Sequence, residues 1–318
     1  MNSFRTDIKL KPIDLNFTHG KSIFCIGSCF TEHIHTKLNL SGFQSLCNPC
    51  GIVYNPVSIQ NQIFRLLTNQ PWNENDLILH NELYHGLYHH GSFSDNDKMK
   101  VLDKMNLNTQ LVNNHLLSAS FMLVTFGTSI VYTLKEKNII VANAHKIPAH
   151  AFARRFLELN EIVHSTREWI NMVKDIHPDC QFIFTVSPVR YLKEGFTDNT
   201  RSKALLHLAI EEITKSMESV HYFPAYEIIL DDLRDYRFYK EDMIHPSDQA
   251  IEYVWKCFKE TFFSSETHTL SEKVFNLNKS LNHKPLHEHT IAHQSFMKNL
   301  HIEIELLKKK HPEILFRN

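Results

Sequence analysis

Ser28 stands where a serine could act as a nucleophile. It follows Gly27 at the end of the apolar segment 21–28, which predicts a buried strand. A serine at a strand-to-helix turn exposes its hydroxyl, and its backbone N–H lies near a helix N-terminus, where an oxyanion is favoured. Serine is also a preferred helix N-cap, so this position alone does not indicate chemistry.

A second motif near the other end of the chain changes that interpretation. Asp242 precedes His245 by three residues, in a turn ahead of a predicted helix. A carboxylate at this spacing can reach the imidazole Nδ1, which leaves Nε2 free to take a proton from a hydroxyl. Together with Ser28, the pair supplies a nucleophile, a base and an orienting carboxylate. This set predicts acyl transfer through an acyl-Ser28 intermediate.

The elements that must position these residues alternate along the chain. Apolar runs predict strands at 21–28, 43–47, 121–126, 181–186 and 220–223 and a hairpin over 131–141. Periodic segments predict helices at 31–40, 57–67, 97–118, 152–176, 201–219 and 247–262. The alternation predicts an α/β fold with a mostly parallel sheet and helices on both faces.

Two further regions complete the predicted organisation. Residues 76–96 are rich in His, Tyr, Gly and Asp and are interpreted as an irregular, partly extended excursion. Residues 265–318 contain no strand-like run. We therefore expect one domain over residues 1–264 and a helical C-terminal extension that packs on it or on a second subunit.

The motif around Ser28 resembles that of a known family. Segment 26–31, Ile-Gly-Ser-Cys-Phe-Thr, is similar to the motif that names the GSCFA-domain family, with Thr in place of the final Ala. The family is grouped with the SGNH (GDSL-like) hydrolases. The resemblance spans about residues 20–262, through segments 48–56, 126–128, 143–148, 185–190, 236–239 and 242–246. It implies a flavodoxin-like three-layer α/β/α sandwich with the nucleophile after the first strand.

The resemblance also implies an oxyanion hole, and here the chain departs from the wider pattern. The N–H groups of Ser28 and Gly51 match two of the expected donors. The third donor is normally an Asn side chain, but Ser129 stands at that position. Asn55 is the candidate substitute, and a turn role before Pro56 is the alternative. Loss of one donor costs about 10²–10³ in rate, so the departure bears on activity without excluding it.

Three other residues are candidates for substrate contacts. His85 belongs to an aromatic, polar segment that could line a carbohydrate cleft, and a crowded loop or an interface is the alternative. His145 and Arg190 each follow a strand-like segment, so their loops are expected near the site. Ordinary salt bridges are the alternative explanation for both.

The cysteines offer competing chemistry. Cys29 adjoins Ser28 and raises the possibility of a thiol nucleophile, but only one of two adjacent side chains is expected to face the site, with Cys29 packed under the helix. Cys47 and Cys50 have the spacing of a zinc half-site or redox pair. No second Cys-x-x-Cys completes a zinc site, so two buried thiols are the preferred interpretation. We expect neither a metal nor a cofactor.

Composition narrows the expected partners and location. The chain has 34 Lys and Arg against 35 Asp and Glu, without a basic block, which argues against nucleic-acid binding. The N-terminus lacks the apolar core of a secretory signal, and no apolar run reaches membrane-spanning length. Six cysteines in apolar contexts favour a reducing compartment. We expect a cytoplasmic protein, with possible self-association through the C-terminal extension.

These observations predict an ester hydrolase. SGNH enzymes often remove O-acetyl groups from carbohydrates, so the resemblance implies a small-molecule or glycan ester as substrate, by analogy of fold. Two alternatives stay open. An O-acyltransferase would use the same acyl-Ser28 intermediate, and a catalytically weak binding protein would keep the scaffold.

Overall fold

The computed structural model describes residues 6–282 and 289–316. Within these ranges the strands are β1 (Ile23–Gly27), β2 (Ser45–Cys47), β3 (Leu77–His80), β4 (Leu83–Gly86), β5 (Phe121–Phe126), β6 (Ile130–Leu134), β7 (Ile139–Ile140), β8 (Phe152–Phe156), β9 (Gln181–Val186) and β10 (Val220–Tyr222).

The α-helices of the same ranges are α1 (Cys29–Leu40), α2 (Pro56–Thr68), α3 (Lys98–Leu117), α4 (Leu159–Ile176), α5 (Gly195–Ser216), α6 (Ala225–Glu227), α7 (Asp248–Phe262), α8 (Ser265–Leu281) and α9 (Ile291–Lys310). The short α6 continues as a π-helix, Ile228–Leu233. Side-chain caps begin several helices at or next to their predicted starts. Asn55 caps α2, Asp97 caps α3 and Ser247 caps α7, because each side chain accepts a first-turn backbone N–H.

The central sheet has the order β10-β9-β5-β1-β2, and all of its strand pairs are parallel. When only these five strands are counted, in chain order, their order across the sheet is 2-1-3-4-5, which is the order of flavodoxin-like folds. The predicted α/β class and mostly parallel sheet are therefore confirmed.

Both faces of the sheet are buried, because alternate side chains of each strand point to opposite sides. On one face Phe24, Met122 and Phe184 pack with residues of α2, α3, α4 and α5. On the other face Cys25 and Leu123 pack with residues of α1 and α7. The layers are consistent with the expected α/β/α sandwich.

The prediction of a single helix over 152–176 is wrong in its first part. Segment 152–156 is strand β8, which pairs antiparallel with β6 and adds to the hairpin of β6 and β7. Helix α4 starts only at Leu159, where Glu158 and Glu161 form a capping box. Tertiary pairing with β6 therefore overrides the helical tendency of this segment.

The predicted C-terminal helices are present as α8 and α9. Helix α8 lies against the body, where Asn278 Nδ2 donates to the Leu40 carbonyl at 2.8 Å and Glu272 pairs with Lys259. Helix α9 packs on α8 through Leu300 and Ile304, among other apolar side chains. Within the described residues, no helix has both the length and the apolar character to cross a membrane.

Candidate active site

The candidate site lies where the order of the parallel sheet reverses. Strands β1 and β5 are neighbours, and the chain proceeds in opposite directions across the sheet from this pair. Open α/β sheets bind ligands at the carboxyl ends of strands at such a switch point. A cavity of about 380 Å³ opens there, and Ser28, Gly127 and Ser187 line it from the ends of β1, β5 and β9. We call it the Ser28 cavity.

The backbone around Ser28 is tightly constrained. Gly27 has φ of +138°, and a Cβ at this position would lie 2.2 Å from the Thr125 carbonyl oxygen. Only glycine suits this combination of left-handed φ and close strand approach. The Ser28 Oγ accepts a hydrogen bond from the Phe30 N–H at 3.3 Å, so Ser28 is the N-cap of α1 as well as a cavity residue.

The loop after β2 holds the ends of β1 and β5 in place. Asn48 accepts the Gly27 N–H on its side-chain oxygen at 2.8 Å, and Val53 N–H donates to the Gly27 carbonyl at 3.1 Å. The Tyr54 carbonyl accepts the N–H groups of Gly127 and Thr128 at 2.7 and 2.9 Å. These bonds fix the strand ends that form the cavity floor.

Asp242 and His245 form the expected pair. His245 Nδ1 lies 2.6 Å from Asp242 Oδ2, and Asp242 Oδ1 accepts the N–H groups of Ile244 and His245 at 2.9 Å each. These hydrogen bonds hold the pKa of Asp242 at about 2, so the carboxylate stays ionised at neutral pH. An ionised Asp242 favours the tautomer with the proton on Nδ1 and Nε2 free.

The turn that carries His245 lies beside the cavity and α1. Arg190 lines the Ser28 cavity, and its Nη1 lies 3.3 Å from the Tyr239 hydroxyl. Tyr239 forms a β-bridge with Pro246, the residue after His245. Burial lowers the pKa of His33 on α1, and the charge of Lys240, whose N–H donates to the His245 carbonyl, adds to this effect. His245 itself is not among the described residues that line the cavity.

A second cavity is lined in part by Asp242 of the pair. It has a volume of about 430 Å³ and contains Asp242 and Met243. Arg190 lines this cavity and the Ser28 cavity alike. The two cavities therefore flank Arg190, and we call the second one the Asp242 cavity.

Three of the residues expected to form the oxyanion hole are already hydrogen-bonded within the protein. The Ser28 N–H donates to the Thr125 carbonyl at 3.2 Å, and the Gly51 N–H donates to the Asn48 carbonyl at 2.7 Å. Ser129 is buried outside the cavity lining and hydrogen-bonds Ser202.

Asn55 does line the Ser28 cavity. It is also the N-cap of α2, with its Oδ1 accepting the Ser58 N–H and its Nδ2 donating to the Ser58 Oγ at 3.0 Å. A side-chain amide has two N–H donors, so one remains for a ligand.

Two of the three expected substrate contacts line the cavity. They are His145 and Arg190. His85 lies outside the lining and stacks on His145 with ring centroids 4.5 Å apart. The His145 Nε2 lies 3.0 Å from the Gly86 carbonyl, and burial lowers the pKa of His145 to about 4. The His145 imidazole is therefore an uncharged part of the cavity lining at physiological pH.

Cys29 does not pack away under α1, because it lines the cavity together with Ser28. Burial raises the pKa of its thiol, and the Glu32 carboxylate adds to the rise. A protonated thiol is a weak nucleophile, which favours Ser28 over Cys29.

The Cys-x-x-Cys residues do not face each other. Cys50 belongs to the core on one face of the sheet, and Cys47 packs against the core on the opposite face. Within residues 6–282 and 289–316, no group of three or more His, Cys, Asp or Glu side chains is placed to hold a metal ion.

Lys203 is a site residue that the sequence reasoning missed. Its side chain is buried, and Nζ donates to the carbonyls of Gly127 and Ser187 at 2.6 and 2.7 Å. These carbonyls belong to the residues that directly follow β5 and β9. Lys203 therefore links two strand ends that line the cavity. The available signal was its spacing on α5, which places it on the same apolar stripe as Leu206 and Ile210.

Replacing Lys203 is expected to reduce stability in a pH-dependent way. Lys203→Met leaves two buried carbonyls without a donor, which costs about 1–3 kcal/mol. Burial lowers the pKa of Lys203 to about 7 in the folded protein, whereas the unfolded chain keeps a value of about 10.4. Between these values the unfolded state binds the extra proton, so the wild type should gain stability relative to the variant as pH rises.

Urea unfolding of both proteins at pH 7, 8 and 9 measures this difference. Lys215→Met, an exposed change on the same helix, is the matched control. A difference in unfolding free energy that does not grow with pH would contradict the assignment of a buried Lys203 with a lowered pKa.

The fold defines a three-layer α/β protein whose candidate site lies at the strand carboxyl ends. Comparison with known families identifies it further. The GSCFA family matches residues 22–258, and a second match, described as GSCFA domain protein, C-terminal domain, covers residues 274–318. The chain belongs to the GSCFA family. No curated protein matches it.

Proposed function

We propose that the protein is an SGNH-type ester hydrolase, with Ser28 as nucleophile, His245 as base and Asp242 as orienting carboxylate. The observation that carries the proposal is the 2.6 Å bond between Asp242 Oδ2 and His245 Nδ1, which leaves Nε2 without a partner among the described residues. The Ser28 cavity, at the sheet's switch point, supplies the binding space. The SGNH analogy makes an O-acetyl ester of a carbohydrate the first substrate to test.

The reaction has two balanced steps. Ser28 Oγ attacks the acyl carbonyl while His245 Nε2 takes the hydroxyl proton. The tetrahedral intermediate collapses, the ester C–O bond breaks, and the alcohol leaves with the proton from His245. Water then loses a proton to His245 and attacks the acyl-Ser28 carbonyl. The acid departs as Ser28 Oγ regains the proton.

The oxyanion requires stabilising groups at the cavity, and one side-chain donor and one helix N-terminus are present there. The Asn55 amide keeps one unused N–H, and Asn55 lines the same cavity as Ser28. The N-terminus of α1 contributes its positive end, because Ser28 is its N-cap. We propose that these groups take the place of the Asn that the wider SGNH pattern contains.

One observation favours a second candidate function, a binding protein with little activity. The N–H groups of Ser28 and Gly51 donate to protein carbonyls, so neither is directed at a bound oxyanion in this conformation. A protein that only binds an ester would need no such donors. The two candidates differ in turnover, which the next experiment measures.

Turnover of p-nitrophenyl acetate tests the proposal with a matched pair of adjacent substitutions. Ser28→Ala is expected to reduce the enzyme-dependent rate to background, because no acyl-enzyme can form. Cys29→Ala is expected to keep at least about a third of the wild-type rate, since a raised thiol pKa makes Cys29 a poor nucleophile.

Three outcomes would count against this assignment. Loss of turnover in Cys29→Ala with retention in Ser28→Ala would move the nucleophile to the thiol. No turnover by the folded wild type would favour the binding protein. Equal rates in wild type and Ser28→Ala would remove Ser28 from the mechanism.

A further inference from the structure

The charged side chains that line the Ser28 cavity all carry positive charge. They are Lys146, Arg190 and Lys193, and none of the described lining residues is Asp or Glu. His145 adds no charge at neutral pH, because burial lowers its pKa to about 4. Two carboxylates lie near the lining, because Glu194 accepts a hydrogen bond from the Tyr132 hydroxyl and Glu32 raises the pKa of Cys29, but the charged side chains of the lining itself are all cationic.

These cations are not neutralised by protein carboxylates. Glu194 and Asp198 follow them in the chain, but both pair with Arg154. Lys193 Nζ lies 5.6 Å from the centre of the Tyr132 ring, and Arg190 bonds the Tyr239 hydroxyl. No ion pair among the described residues includes Lys146, Arg190 or Lys193. Most of their hydrogen-bonding capacity is available for a ligand.

Residues with an unfavourable left-handed backbone conformation also occur in this region. Among the described residues, five that are neither Gly nor Asn have a left-handed φ: Glu82, His145, Lys146, Arg234 and Met243. His145 and Lys146 line the Ser28 cavity, and Arg234 and Met243 line the Asp242 cavity. Such conformations cost about 1–3 kcal/mol each and cluster at functional sites. Here they place one lysine and one arginine at the two cavities.

Arg190 indicates which part of the substrate these cations contact. In the proposed mechanism the alcohol takes a proton from His245, so it must leave toward the Asp242–His245 pair. Arg190 lies on that side, because it is shared between the Ser28 cavity and the cavity that contains Asp242. An anionic group on the alcohol portion would meet Arg190 at the boundary of the Ser28 cavity, because the Asp242 cavity beyond it also contains the carboxylates of Asp235 and Asp242.

We propose that the substrate is an ester whose alcohol portion carries a carboxylate or a phosphate, bound by Arg190 together with Lys146 and Lys193. This inference rests on the proposed function and adds the substrate class to it. A guanidinium binds either anion with two parallel hydrogen bonds, so the two sources share one recognition chemistry.

Three acetyl esters of one shape test the inference. They are para-acetoxybenzamide, which is neutral, para-acetoxybenzoate and para-acetoxyphenyl phosphate. For each ester, kcat/KM is divided by the rate constant of its hydrolysis without enzyme. The wild type is expected to show kcat/KM about 10- to 100-fold higher for an anionic ester than for the neutral one, as charge-assisted hydrogen bonds allow. Whichever anionic ester gives the larger ratio identifies carboxylate or phosphate as the group recognised.

Two variants locate the recognition and a third controls for net charge. Arg190→Gln and Lys146→Met should each lower the anionic-to-neutral ratio by about 5-fold or more, whatever happens to the absolute rates. Lys100→Met removes a charge from the exposed face of helix α3, outside both cavities, and should keep the wild-type ratio. Raising NaCl from about 20 to about 500 mM should also reduce the ratio, because salt screens the attraction.

The experiment distinguishes failure of this inference from failure of the hydrolase proposal. A wild-type ratio near one, with turnover of the neutral ester that depends on Ser28, would overturn the inference and leave the hydrolase proposal standing. A high ratio that survives both Arg190→Gln and Lys146→Met would also overturn the assignment to this cavity. No turnover of any of the three esters by the folded protein would overturn the hydrolase proposal and the inference with it.

Discussion

His245→Ala is expected to lower kcat/KM for p-nitrophenyl acetate by about 10³–10⁴, since the Ser28 hydroxyl then lacks the base that takes its proton. Asp242→Asn should cost a similar factor of about 10⁴ for a different reason. The amide can still hydrogen-bond the imidazole, but it favours the tautomer with the proton on Nε2, which cannot accept one. Steady-state rates above buffer background measure both effects.

The matched control is Asp248→Asn, which removes an exposed carboxylate close in sequence to His245, at the start of α7. It should keep the wild-type rate within about twofold, because surface charges contribute little. The double variant of Asp242→Asn with His245→Ala should be no slower than His245→Ala alone, because the residues act as one unit. A wild-type rate in either single variant would remove the pair from the mechanism.

Gly27→Ala is expected to destabilise the protein strongly. The new Cβ would stand 2.2 Å from the Thr125 carbonyl oxygen and 2.8 Å from its nitrogen, both in backbone of the central strand. The φ of +138° is also unfavourable for alanine. We expect a loss above about 4 kcal/mol in urea unfolding, a large part of a typical folding free energy.

Gly91→Ala is the matched control for this substitution. Gly91 has no left-handed φ, and an added Cβ would come only within 4.0 Å of the His145 Nδ1. Its expected change in unfolding free energy is within about 1 kcal/mol. If Gly27→Ala were as stable as Gly91→Ala, the close approach of β1 and β5 that positions Ser28 would be contradicted.

Much of the fold could be predicted from the sequence because its central strands are continuously apolar. Segments 121–126 and 181–186 are buried on both faces, and such runs are typical of parallel strands under two helical layers. Strand β8 could not be predicted in this way. Its central residues, Ala153 to Arg155, are exposed, so its strand state depends on pairing with β6 rather than on its own pattern.

The candidate site also combines features that local sequence predicts with features that depend on tertiary packing. The Asp242–His245 bond joins residues three apart, so local sequence was enough to predict the geometry that the structure shows. Cys29 and Lys203 depend on how distant elements meet. The sequence did not indicate that Cys29 would share the cavity with Ser28. The spacing of Lys203 places it on the apolar stripe of α5, but does not show that its side chain reaches two strand ends.

The central claim is that Ser28 is an activated nucleophile, and fluorophosphonate labelling tests it most directly. The probe reacts with a serine whose hydroxyl a neighbouring base activates, and peptide mass spectrometry locates the adduct. We expect one equivalent of label on the peptide that contains Ser28, with labelling lost in Ser28→Ala and slowed by at least about 100-fold in His245→Ala. A folded wild-type protein that stays unlabelled, or an adduct on another serine, would contradict the account.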